Sequence, residues 1–280
     1  MSSFQTRQGS LKIVDAARVA ARGALFVTEA RLRAMLKWVW LILSIAIANP
    51  VLYLVSIGLG LGSYIDENTG AMGVDGVSYL TFLAPALLAT AAIQGAMDES
   101  VYPTLEGFNW YKTFFSMNAT PLSGNQIAMG VFFNSLIRTI FTAVLYWLVM
   151  LAFGVLDSPR AWLAIFTAVM AGAAFGAFMQ ALAGFLENEN VFFTIVERFI
   201  IMPLFLFSGT FYPLTNMPIF LQWIGWISPL WHATELGRWL TYRSEISTPM
   251  LLLHFIFLNS ILIFGLIASR RIFTKRLGKL

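Results

Sequence analysis

The stretch DESVYPTLEGFNWYKTFFSMNATPLSGNQ, residues 98–126, is the longest polar break between two membrane-length apolar runs. Asp98, Glu99 and Glu106, with Pro103, Pro121, Gly107 and Gly124, interrupt the hydrophobic pattern. Residues 98–126 therefore read as a loop, with a short helix of about two turns over 110–118. The runs on either side, 78–97 and 127–153, approach or exceed the ~20 residues that cross ~30 Å of hydrocarbon. They are continuous rather than alternating, which selects helices over a barrel.

Working outward, the composition agrees. The 280 residues are 58% hydrophobic and 11% charged, with mean hydropathy +0.74. Soluble domains carry ~25% charge, so this chain lacks the polar residues to clothe a water-facing surface. Further apolar runs lie at 38–60, 161–186, 191–211 and 249–268. The expectation is an all-α integral membrane domain, 1–280, with six spans. Of 18 Lys and Arg, seven fall in residues 1–37 and five in 270–279, and the 61–77 loop carries acids only. Both termini are thus expected in the cytoplasm, with 98–126 as the main cytoplasmic protrusion. No cleavable signal peptide is read, because the first apolar run follows a long charged segment.

Residues 11–37 read as an amphipathic helix in the cytoplasmic headgroup layer, in contact with membrane lipid. Lys12, Asp15, Arg18, Arg22, Glu29, Arg33 and Lys37 share one third of the wheel, and only Arg31 breaks the pattern. Residues 212–247 hold an apolar portion too short to span, with Pro218 and Pro229, and Trp223, Trp226, Trp231 and Trp239 at interfacial positions. A re-entrant helical pair on the outer side fits them. In the fourth span, Ala168, Gly172, Gly176, Gln180 and Gly184 form a stripe that admits a close helix neighbour, either within the chain or from a second copy.

Charge inside a span is expensive. Arg138 falls ~16 Å into the third span at 1.5 Å per residue, and Glu197 and Arg198 lie near the inner end of the fifth. The three read as a buried charge cluster in which Glu197 bridges to Arg138, either as a pair that fixes helix register or as a polar patch lining a substrate route. Nothing in the sequence points to catalysis. Cysteine is absent, His232 and His254 belong to no HExxH pattern, and Glu187 and Glu189 sit in a turn. No catalytic, cofactor-binding or metal-binding residue is assigned, and no nucleic-acid partner is expected.

The order of parts resembles the permease subunit of ABC-2-type exporters. The match rests on TLEGFNWYKTFFSMNATPLSGNQIAMG (104–130), LAPALLATAAIQGAM (83–97) and RFIIMPLFLFSGTFYPLTNMPIFLQWIGWISPLWHATELGRW (198–239). It is nearest the branch holding nodulation lipo-oligosaccharide and daunorubicin-type drug permeases. The resemblance implies a homodimer of permease chains in the cytoplasmic membrane, working with a separate nucleotide-binding ATPase that carries the ATP and Mg. It implies coupling to that ATPase through Glu106, Trp110, Tyr111, Lys112 and Phe114, and a cavity or gate near Phe205, Phe207 and Phe211. The cargo would be an amphipathic lipid-linked saccharide, or alternatively a drug. An ion-driven transporter acting alone is the rival from another class, and a membrane-embedded enzyme ranks third.

Overall fold

The computed structural model describes residues 16–69, 73–187, 196–242 and 245–278, and among these the regular secondary structure is helix, apart from a single bridge, Val74 to Val77, in a turn. Residues 11–15 of the amphipathic segment, the 188–190 turn and the first part of the fifth span, 191–195, lie outside the described residues.

Helix α1 spans Ala16–Leu36 and α2 spans Val39–Tyr53. Pro50 inside α2 has no N–H to donate, and the helix widens immediately afterwards into a π-helical stretch, Leu54–Leu61, before continuing as α3, Gly62–Thr69. Helix α4 runs Tyr79–Leu105 from an N-cap at Ser78, whose hydroxyl accepts from the Thr81 N–H. A wide turn at Glu106–Trp110, a left-handed Lys112 (φ 55°) and the short α5, Thr113–Asn118, complete the polar break. A capping box of Ser123 and Gln126 starts α6, Gly124–Ala152. Next come α7, Ala164–Phe185, and α8, Met202–Phe207, the latter preceded by a wide turn at Glu197–Ile201. The chain finishes with α9, Ile219–Trp226, α10, Pro229–Thr241, and α11, Thr248–Leu277.

The expected loop over 98–126 is only partly a loop, because α4 runs on to Leu105 and Asp98 and Glu99 lie on it. Partners from the helices satisfy its acids. Gln94 donates to Asp98 (3.0 Å), Asn134 to Glu99 (2.8 Å) and Arg31 to Glu106 (3.0 Å). With those bonds made, carboxylates no longer argue for a break in the helix.

Among the described residues, Val39–Asn68, Tyr79–Trp110, Gly124–Ala152, Ala161–Phe185 and Thr248–Leu277 are long and apolar enough to cross a membrane. α4 and α7 pack together at the centre and are largely buried, whereas α2 and α11 leave most of their apolar surface uncovered. The glycine stripe of α7 is used within the chain. A Cβ on Gly172 would meet Thr139 at 2.6 Å and the Ala92 carbonyl at 2.8 Å, and one on Gly176 would meet Ser100 at 3.0 Å.

The described ends of the chain share one pole. Val27 of α1, Ile127 of α6, and Phe273 and Leu277 of α11 form one cluster with Phe108 and Phe114. At the opposite pole, α10 packs on α4 and α7. The buried Arg238 fixes it there, donating to the Gly209 carbonyl (2.8 Å) and to Glu235 (2.9 Å) and lying 3.7 Å over the Phe82 ring.

Candidate functional site: a ring-stacked hub and a lateral cavity

At the pole that carries both described ends, the turn after α4 and the helix α5 are held by aromatic edges and two arginines. Phe108 stacks edge-on against Phe114 (5.0 Å) and Phe273 (4.8 Å). Gly107 is required there, since a Cβ would fall 2.3 Å from the Phe114 ring. Arg276 lies 4.3 Å over Phe108 and donates to the carbonyls of Gly184 and Leu186 (both 2.9 Å) and to Asn109 (2.6 Å). It thereby joins the ends of α7 and α11 to the turn.

Arg31, the residue that breaks the polar stripe of α1, is the second tie. It donates to Glu106 (3.0 Å) and to the Pro103 carbonyl (3.2 Å) and faces the Phe114 ring at 5.4 Å. α1 rests on α6 beside it. Thr28 donates to the Gly130 carbonyl (3.2 Å), Gln126 donates to the Val19 carbonyl (3.2 Å), and Gly130 leaves room for Val27. Arg18, Arg22, Glu29 and Arg33 stay exposed.

The sequence-derived coupling residues divide into two groups. Trp110 (47% exposed), Tyr111 (75% exposed) and Lys112 form the protruding surface. Phe114 is fully buried and Glu106 is engaged by Arg31, so these two brace the protrusion from behind.

A lateral cavity of 880 Å³ opens between α2, α4 and the 197–205 segment. Its walls are apolar and aromatic at Phe175, Phe199 and Phe205, and polar at Asn49, Gln94 and Glu197. Phe205 faces it and stacks edge-on with Phe211 (5.2 Å), while Phe207 packs with Leu214 and Trp231 instead.

The expected cluster of Arg138, Glu197 and Arg198 is not assembled. Glu197 and Arg198 are exposed at the cavity, and Glu197 accepts from the Tyr102 hydroxyl (3.4 Å). Arg138 is buried and feels Glu99 and Asp98, with no ion pair within 4.0 Å among the described residues. The reason is the placement of α4. Its Met97 and Val101 pack with Val196, Ile201 and Leu204, whereas its Glu99 and Ser100 meet α6 at Asn134 and Ser135. α4 therefore stands between the two charges, with its Asp98 within electrostatic reach of both.

No sequence pattern signals the pairing of His232 with His254. Their Nδ1 atoms are 2.7 Å apart, and His232 Nε2 lies 3.0 Å from the Trp226 carbonyl. With Nε2 donating to that carbonyl, neutral His232 accepts at Nδ1 from His254, which joins α10 to α11.

Residues 26–242 match the protein family described as ABC-2 type transporter. Among curated proteins, the chain is 27% identical over 196 residues to "Nodulation protein J" of Rhizobium leguminosarum bv. viciae, covering 69% of this chain and 71% of the relative. It is 25% identical over 192 residues to "Nodulation protein J" of Sinorhizobium fredii (strain NBRC 101917 / NGR234), with the same coverage. It is also 24% identical over 184 residues to "Inner membrane transport permease YadH" of Escherichia coli (strain K12), covering 66% of this chain and 69% of that one.

Proposed function

Because the chain belongs to the ABC-2 type transporter family, we propose that it is the membrane subunit of an ATP-driven exporter that moves an amphipathic, lipid-linked saccharide outward across the cytoplasmic membrane. ATP and Mg are bound and used on a separate ATPase chain. Two permease copies stand side by side, and the uncovered apolar surfaces of α2 and α11 are where a second copy and lipid meet them.

The observation that carries the reading is the rigid mounting of Trp110, Tyr111 and Lys112. A protruding surface braced by Phe108, Phe114, Arg31 and Arg276 is tied to α1, α4, α7 and α11 at once. A push by the ATPase on that surface reaches all of those helices together, which a loose loop does not achieve.

Six crossings fit the geometry better than five. Both described ends share one pole, which supports an even number of crossings, with the sixth through 196–207. The basic residues near both ends support a cytoplasmic position for that pole. The α9–α10 pair then dips into the outer leaflet without crossing it. The 880 Å³ cavity, lined by apolar and aromatic side chains with Asn49, Gln94 and Glu197 among them, is matched to an amphipathic cargo.

Reconstitution in proteoliposomes tests the reading. Export of a fluorophore-tagged dodecyl oligosaccharide should need both the ATPase and hydrolysable ATP, and should continue when ion gradients are collapsed. Export driven by a proton or sodium gradient without ATP would move the chain to the ion-driven class.

A further inference from the structure

Along α6 the polar side chains Asn134, Arg138, Thr142 and Tyr146 follow one another at four-residue spacing, one per turn over ~18 Å. All four are more than nine-tenths buried. Each carries a polar atom with no hydrogen-bond partner: Asn134 Oδ1, Arg138 Nε and Nη1, and the hydroxyls of Thr142 and Tyr146. An unpaired polar atom is costly in any apolar interior, and more so at membrane depth. Unpartnered atoms occur in other described residues as well, but four in successive turns on one face of a single helix form a surface suited to a ligand.

The surroundings of the row are equally particular. α4 faces it with Gly95, whose missing Cβ leaves room at Thr142 Oγ1 (3.2 Å from where that Cβ would stand), and with Asp98 and Glu99 near Arg138. α2 packs on α6, and its Ala46 and Pro50 are buried. At its Tyr146 end the row opens into the 880 Å³ cavity, where Asn49, Tyr53 and Gln94 line the wall.

The chemistry of the row excludes most ligand classes. An anion would meet Asp98 and Glu99, a cation would meet Arg138, and an apolar molecule would leave every orphan unpaired. The bare atoms are mixed: an amide oxygen that only accepts, guanidinium nitrogens that only donate, and two hydroxyls that do both. A ligand rich in hydroxyls satisfies all of them.

We propose that Asn134, Arg138, Thr142 and Tyr146 form the subsite for an uncharged, polyhydroxylated head group, a saccharide by chemical class, whose hydrocarbon part lies in the adjoining cavity. This rests on the reading of the chain as an export permease and assigns its specificity to one face of α6. Access runs from the cavity at the Tyr146 end, which α2 borders through Asn49 and Tyr53, and the Pro50 break with the wide turn Leu54–Leu61 gives α2 a place to bend.

The test uses the full chain in lipid nanodiscs and two probes, a fluorophore-tagged dodecyl tetrasaccharide and the same tagged chain without sugar. Thr142→Val and Tyr146→Phe remove only the orphan hydroxyls and keep shape. The double variant should melt at the same or a higher temperature, since unpaired buried groups are lost, yet bind the sugar probe about tenfold more weakly. Its affinity for the sugar-free probe should not change. Unchanged sugar affinity in the double variant, or equal binding of both probes by the wild type, overturns the proposal. Failure of the exporter reading shows separately, as a sugar preference that persists while neither probe is moved with ATPase and ATP present.

Discussion

Arg31 Nη1 stands 3.0 Å from Glu106 Oε2, which joins the basic N-terminal helix to the wide turn after α4. The pair is half-sheltered, with Glu106 the more exposed partner, so the ionic part is worth only about 0.5–1 kcal/mol. The Pro103 carbonyl accepts from the same guanidinium and adds to the tie. In a double-mutant cycle of Arg31→Met and Glu106→Gln, thermal unfolding should report a coupling of about 1 kcal/mol. Strictly additive single effects would show that the two helices are not joined there. Glu106→Gln should also lower transport per ATP hydrolysed while the chain stays folded.

Arg276 should be the more costly residue to remove. Its loss frees two carbonyls and Asn109 and strips the cation from Phe108. Arg276→Met should destabilise by about 2–3 kcal/mol, and Arg276→Lys should recover only part of this, because an ammonium lacks the planar fork. Chemical or thermal unfolding of the two variants measures it. Equal stability of the Lys variant and the wild type would deny the fork a role.

Gly130 should prove intolerant of size. A Cβ there meets Val27 at 2.4 Å and the Ala24 carbonyl at 2.9 Å. Gly130→Val should lever α1 off α6 and leave the membrane helices assembled. Limited proteolysis should then cut within Ala16–Leu36 far faster than in the wild type. Equal protection of that helix would mean it is held elsewhere.

Arg138 and Glu197 should act independently. Glu197 is exposed at the cavity, and α4 separates it from Arg138. Glu197→Ala should leave folded yield near the wild-type level, and adding Arg138→Met should give the sum of the single effects, within about 0.5 kcal/mol. Rescue of one change by the other would restore the ion pair suggested by the sequence.

The membrane helices are legible in the sequence because uninterrupted apolar length has few other meanings. The extension of α4 through Asp98 and Glu99 is not legible, since the partners that satisfy those acids include Asn134, 35 residues from Glu99. Arg31 is visible as an anomaly of the helical wheel, but its purpose appears only once Glu106 lies beside it. The division of the protrusion into an exposed Tyr111 and a buried Phe114 likewise depends on Phe273, from the far end of the chain. The row on α6 has the simplest signal, Asn, Arg, Thr and Tyr at four-residue intervals. The sequence does not say which of them lack partners.

The most direct test of the account places a photo-crosslinking amino acid at Tyr111 in one variant and at Trp223 in another, and irradiates each in native membranes. Mass spectrometry then identifies the chains attached. The account predicts a nucleotide-binding ATPase linked through Tyr111 and none through Trp223, on the α9 helix. An ATPase linked through Trp223, or no ATPase linked through Tyr111, would contradict it.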